Sequence, residues 1–148
     1  MTEQSTGQDL QQGKRVIDDV LTYMNIFHGK VDEHFGGIAL NTGTIEEFRG
    51  YFQESKPRIN LVNRLLDNLV KKFFTSSDNR KKTIAIDIKT IQRRWSSNIK
   101  IINDLSLLDS KHALSEYKRY DAELDENKRI ILQEGVNLQK EIIALLKK

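Results

Sequence analysis

Nine positions in a row, Ile45, Phe48, Phe52, Ser55, Ile59, Val62, Leu66, Leu69 and Phe73, are spaced 3, 4, 3, 4, 3, 4, 3 and 4. All but Ser55 are apolar. Alternating threes and fours hold one face of an α-helix toward the same side for about eight turns. A strand, whose side chains alternate with period two, cannot present this pattern. Leu61 and Leu65 widen the stripe. Pro57 lies inside the run, lacks an N–H and clashes with the preceding turn. It predicts a kink, or two helices meeting near Gln53–Lys56.

The same period recurs three more times. Ile17, Val20, Met24, Phe27, Val31, Phe35 and Ile38 form a first seam, closed by Gly36-Gly37 and Asn41-Thr42-Gly43. Thr44, followed by Glu46 and Glu47, reads as the N-cap of the next helix. Thr75–Asn79 is a polar turn cluster that stops the second helix. Ile84, Ile88, Ile91, Trp95, Asn98, Ile102 and Leu105 form a third seam, with Asn98 its one polar slip. From Ala113 onward Tyr117, Leu124, Ile131, Leu138 and Leu145 recur every seven residues, thickened by Ile130, Ile142 and Leu146. This register does not join the previous one at Asp109-Ser110 and His112. Either the helix breaks there, or it continues with its apolar face rotated.

These seams predict an all-α chain: an antiparallel three-helix bundle with an additional C-terminal helix. Few breakers, with Gly 8 and Pro 1 in 148 residues, suit long helices and not a turn-rich sheet fold. The expected division is a flexible lead-in over 1–13, a three-helix unit over 14–112 and a C-terminal helix over 113–148. That last helix either folds back or hands its apolar face to another molecule, and the second is favoured. Tyr117, Leu124, Ile131, Leu138 and Leu145 are then the candidate partner-binding residues, with self-association one outcome. Phe27, Phe52, Leu66, Ile91 and Trp95 are the expected core anchors.

Chemistry-bearing patterns are scarce. There is no Cys, so no disulfide, thiolate nucleophile or thiolate metal site forms. His28 and His34 are six apart and lie on different helix faces. His28 with Asp32, and Lys30 with His34, are at i, i+4, but no third ligand follows, and no metal site is expected. Asp18-Asp19 and Asp32-Glu33 point apart on a helix and do not share a proton. No Gly-rich phosphate loop or nucleophile elbow occurs. No catalytic residue, cofactor site or enzymatic activity is expected, and no run is long and apolar enough to span a membrane.

The formal net charge of +3 conceals an asymmetry. Residues 1–47 carry three basic against eight acidic residues, a net of −5. Residues 71–100 carry nine against two, a net of +7. Arg80, Lys81, Lys82, Arg93 and Arg94 are the candidate basic face for an acidic partner. The alternative, that this segment complements the acidic first helix within the bundle, is favoured. No aromatic residue lies between Arg80 and Arg94, so nucleic acid is not the expected partner.

The string Ile84-Ala85-Ile86-Asp87-Ile88-Lys89-Thr90-Ile91-Gln92-Arg93-Arg94-Trp95 resembles the last helix of a spectrin repeat, with its spaced aliphatics and a buried Trp. Arg58–Leu69 resembles the end of such a repeat's second helix. The style is that of divergent repeats in giant cytoskeletal linkers such as nesprins, plakins and dystrophin relatives, and it covers about 14–112. The first helix of these repeats usually carries a second Trp; here Phe27 fills the matching seam, with Tyr23 its rival. The resemblance implies a non-enzymatic spacer and protein-docking module with cytoskeletal or regulatory protein partners. It also implies a cytoplasmic, cytoskeleton-associated chain, tethered to a membrane or the nuclear envelope only through a larger parent. SNARE regulatory domains present a similar pattern, and the alternative is a membrane-trafficking adaptor that binds a partner helix.

Overall fold

The structure is a computed structural model that describes residues 2–147, with side chains described from residue 7. It contains four helices: α1 (Thr2–Ala39), α2 (Ile45–Phe74), α3 (Asn79–Ser106) and α4 (Ser110–Leu146). Connections of a few residues make consecutive helices antiparallel. Each helix packs on two neighbours, in the cyclic order α1, α2, α3, α4 and back to α1. The protein is all-α, and no strand occurs among the described residues.

Local chemistry sets the helix ends. Asn41 takes the left-handed conformation, φ 59°, just beyond α1. The turn then brings Thr42 N–H onto the Gly37 carbonyl at 2.8 Å. Thr44 caps α2 by accepting from the Glu47 N–H, and Asp78 caps α3 by accepting from the Arg80 N–H. Asp109 caps α4 by accepting from the His112 N–H at 2.9 Å. The chain therefore breaks at the register slip and turns back. Arg49 of α2 holds that turn, donating to the carbonyls of Ser106, at 2.6 Å, and Leu108. These oxygens at the end of α3 have no intrahelical donor.

Pro57 does not split α2, which runs unbroken through it. Its side is exposed, as is Gln53, whose carbonyl loses its donor, so water can replace the missing bond. Ser55, on the buried stripe, donates to the Tyr51 carbonyl at 2.8 Å.

Two expectations of chain organisation are corrected. Residues 2–13 are not a flexible lead-in, because α1 begins at Thr2. Leu10 is buried, and Gly13 lies so close to the Phe73 ring that a Cβ there would sit 2.8 Å from Cζ. The seam begins at Leu10 and passes through Gly13, whose missing side chain hides it from a hydrophobic pattern. Met1 lies outside the described residues. Of the two courses open to 113–148, the helix takes the fold-back and not the favoured hand-off to another molecule, so the bundle does not end at 112. α4 packs on both α1 and α3 and closes the core as a fourth member; Lys148 lies outside the described residues. Gly135 lets α4 approach α1, since a Cβ there would meet Leu21 Cδ1 at 2.7 Å.

Candidate functional site

The expected core anchors lie inside. Phe27 and Trp95 are fully buried, and Phe52, Leu66 and Ile91 nearly so. The Trp95 ring meets Phe27 edge-on at 5.4 Å between centroids and Tyr23 at 6.3 Å, so both rivals for the matching position touch it. The indole Nε1 has no hydrogen-bond partner among the described residues.

Beside Trp95 the core carries a polar layer. Arg94 donates to Asn127 Oδ1 at 3.2 Å, and Asn127 donates to Asn98 Oδ1 at 2.7 Å. The Asn98 amide faces His28 Nε2 at 3.1 Å and donates to the Leu124 carbonyl at 3.3 Å. His28, Asn98 and Asn127 are all buried. The chain crosses from α4 through α3 to α1. Burial, followed by the nearby Lys128 ammonium, lowers the His28 pKa to about 4. The ring is therefore neutral near pH 7, and its Nε2 accepts from Asn98.

A second polar cluster ties α4 to α1 at the surface. Tyr117 donates to Asp32 Oδ1 at 2.6 Å, and Lys128 Nζ lies 2.8 Å from Asp32 Oδ2. Tyr117 also stacks on Phe35, with 4.4 Å between centroids. Burial and the adjacent Asp32 carboxylate raise the Tyr117 pKa. Asp32 is thus a docking point between helices. Among the described residues no three acidic or histidine groups converge as a metal site.

The candidate partner-binding heptad is corrected. Leu124, Ile131 and Leu138 are buried in this chain's own core, and Tyr117 and Leu145 are half-buried against it. A fourth helix supplies the cover that a neighbouring molecule was expected to provide. The large apolar side chains that α4 leaves exposed are Leu132, Val136 and Ile143.

The candidate basic face is corrected as well. Consecutive helical residues point about 100° apart, so five residues drawn from two short runs do not share a face. Arg80 is turned onto Asp78 at 3.1 Å. Lys81 is buried, continuing the core stripe three residues before Ile84, with its stem over the end of the core. Arg94 turns toward α4 and Asn127. Only Lys82 and Arg93 belong to the outer face.

That outer face is nonetheless basic. Lys82, Lys89, Arg93 and Lys100 are spaced 7, 4 and 7 along α3. Lys56, Arg64 and Lys71 flank them on α2, and none of the seven forms an ion pair among the described residues. The α2–α3 seam between them is a shallow trough whose lining includes Asn60, Asn63, Asp67, Gln92 and Ser96, with Ile86 and Ile99 as apolar members. Counted by helix, α1 and α4 carry 9 basic and 13 acidic residues, while α2 and α3 carry 13 and 6. Internal neutralisation of the basic segment by α1 is limited among the described residues to Lys72 with Asp9, at 2.9 Å. The packing order explains this, because α3 stands diagonally across from α1.

On the far seam Glu141 of α4 has its pKa raised to about 7 by burial and by the facing Asp87 carboxyl of α3. No described helix is long and apolar enough to cross a membrane. No family model matches the chain, and no curated protein or solved structure matches it.

Proposed function

We propose that the chain is a non-enzymatic spacer and docking module, a stiff helical rod that sets a distance and presents charged faces. One observation carries the reading. All four helices direct their apolar stripes into a single shared core, while the charges segregate to opposite long sides of the rod. Such a molecule acts through its length and its surface. The likeness of residues 58–69 and 84–95 to spectrin-repeat helices supports a place in a cytoskeletal linker of the cytoplasm. A second reading, an adaptor of membrane trafficking that takes a partner helix, is favoured by the fourth helix, since a spectrin repeat needs three.

The spacer reading predicts a fixed length. The chain has no Cys, so probes can be placed uniquely at Leu40→Cys and Ser77→Cys, in the connections that precede and follow α2. Thirty residues of helix separate them by about 45 Å. A spacer gives one narrow distance distribution, unchanged by an excess of amphipathic helical peptide. A broad distribution overturns the spacer reading, and a shift on adding peptide favours the adaptor.

A further inference from the structure

We propose that the outer face of α2 and α3 is a docking surface for an anionic lipid bilayer. The inference goes beyond the spacer reading and does not depend on it.

The outer face of α2 and α3 carries uncompensated charge. Lys82 to Lys100 spans about 27 Å of α3. Along this length four cations stand on the outer stripe, with Lys56, Arg64 and Lys71 beside them on α2. The acidic residues nearby are few. Asp67 lies within the face and keeps its charge, since its partner Gln92 at 2.7 Å is a neutral amide. Glu123 and Glu126 of α4 border Arg93 on the other side, and Asp104 lies at the end of the row, so seven cations outnumber four carboxylates. A cation row left without internal partners is a solvated surface that gains energy only when it meets an extended anionic one.

Shape then selects among anionic partners. Two antiparallel helices lying side by side present a nearly flat face, and neither protrudes to enter a groove of duplex DNA. A partner helix needs apolar pockets at i, i+3, i+4 spacing. Here Phe52 and Ile59 beneath the trough are buried and have little surface to offer. The accessible lining is mainly polar, Asn60, Asn63, Asp67, Gln92 and Ser96, with Ile86 and the half-buried Ile99 its apolar members, too few for a row of helix-binding pockets. Amides and hydroxyls between lysines and arginines suit phosphate and carboxylate headgroups. A planar membrane offers these at high density, and each Lys or Arg near it contributes attraction.

Two exposed apolar side chains complete the match. Phe74 is 48% exposed and Ile86 53% exposed. Ile86 lines the same trough as Lys89 and Arg93, and Lys89 Nζ lies 5.3 Å from the Phe74 ring centroid. Apolar side chains among cations can enter the boundary between headgroups and acyl chains. The acidic excess of α1 and α4 on the opposite side orients the rod, with α2 and α3 toward the membrane.

Vesicle flotation with the full chain tests this. The chain should float with phosphatidylcholine vesicles containing about a third phosphatidylserine, stay behind with phosphatidylcholine alone, and be released by high salt. Lys89→Gln with Arg93→Gln should lower partitioning about 25-fold, roughly five-fold per cation removed. Phe74→Ser with Ile86→Ser should lower it further at constant charge. Lys14→Gln with Lys111→Gln, off this face, should leave it unchanged. Circular dichroism on each variant checks that the fold is retained. Equal binding to neutral vesicles, indifference to Lys89 and Arg93, or tighter binding to duplex DNA or polyglutamate than to anionic vesicles would overturn the proposal.

Discussion

Asn127 of α4 donates a hydrogen bond to Asn98 of α3 at 2.7 Å in the interior of the bundle. Asn98 is fully buried and bonds onward to His28 and the Leu124 carbonyl. A buried polar group is tolerated only while its partners are present. Asn98→Leu removes one member and leaves the Asn127 Nδ2 donor and His28 Nε2 without partners, while Arg94 still donates to Asn127 Oδ1, a cost of about 2–3 kcal/mol. Asn127→Leu should have a similar effect. The double variant should be more stable than the sum of the two losses implies, with a coupling of about 1–2 kcal/mol. Urea denaturation of the four proteins measures it, and additive losses would show that the two amides act independently.

The layer also predicts an acid sensitivity. His28 titrates at about 4 in the folded chain, against 6.5 for its ordinary value, because burial and Lys128 oppose its protonation. Between these values the unfolded chain binds a proton that the folded chain does not. Stability from this residue is complete above pH 6.5 and is lost as the pH falls toward 4. The loss is roughly 3 kcal/mol over that range. Glu141 acts in the opposite direction. Its raised pKa gives stability that is complete at low pH and lost as the pH rises through about 7. The two slopes therefore offset, and total stability against pH is a poor readout. The stability difference between the native chain and His28→Gln isolates the histidine, and it should shrink by roughly 3 kcal/mol from pH 7 to pH 4. A constant difference would contradict the buried neutral imidazole.

Gly13 and Gly29 test whether the N-terminal turns of α1 belong to the bundle. At Gly29 a Cβ meets nothing within 4 Å, so Gly29→Ala should stabilise by about 0.5–1 kcal/mol through helix propensity. At Gly13 the same substitution places Cβ 2.8 Å from the ring of the fully buried Phe73. Overpacking should outweigh propensity there and destabilise by about 1–2 kcal/mol. Thermal or urea unfolding reads both. Equal stabilisation by the two would place residues near Gly13 outside the core.

The four seams, the cap at Thr44 and the turn at Thr75–Asn79 were legible, because local periodicity and capping chemistry write them directly; at Asp109 the register slip was visible, but it left a break and a continuous helix with a rotated face both open. What remained hidden depends on which helices meet. Asn98 reads as a polar slip in an apolar stripe; its partners are 29 and 70 residues away, in α4 and α1. Arg49 stands outside every seam and motif of the sequence, yet it holds the α3–α4 turn. The heptad of α4 was visible, but periodicity cannot say whether its cover comes from the same chain. The basic segment was visible by count. Its division into a buried Lys81, a turned Arg94 and an outward row required the phase of α3 against its neighbours.

Native-state hydrogen exchange on the full chain addresses most directly whether α4 belongs to the core. Tyr117 and Lys128 on Asp32, Gln139 on Asp18 at 2.6 Å, and the burial of Leu124, Ile131 and Leu138 make α4 part of one cooperative unit. The amides of Leu124, Ile131 and Leu138 should exchange with the same opening free energy as those of Ile91, Trp95 and Ile102 in α3, at all protein concentrations. Exchange of the α4 amides orders of magnitude faster than those of α3, or protection that appears only as concentration rises, would contradict the closed four-helix bundle.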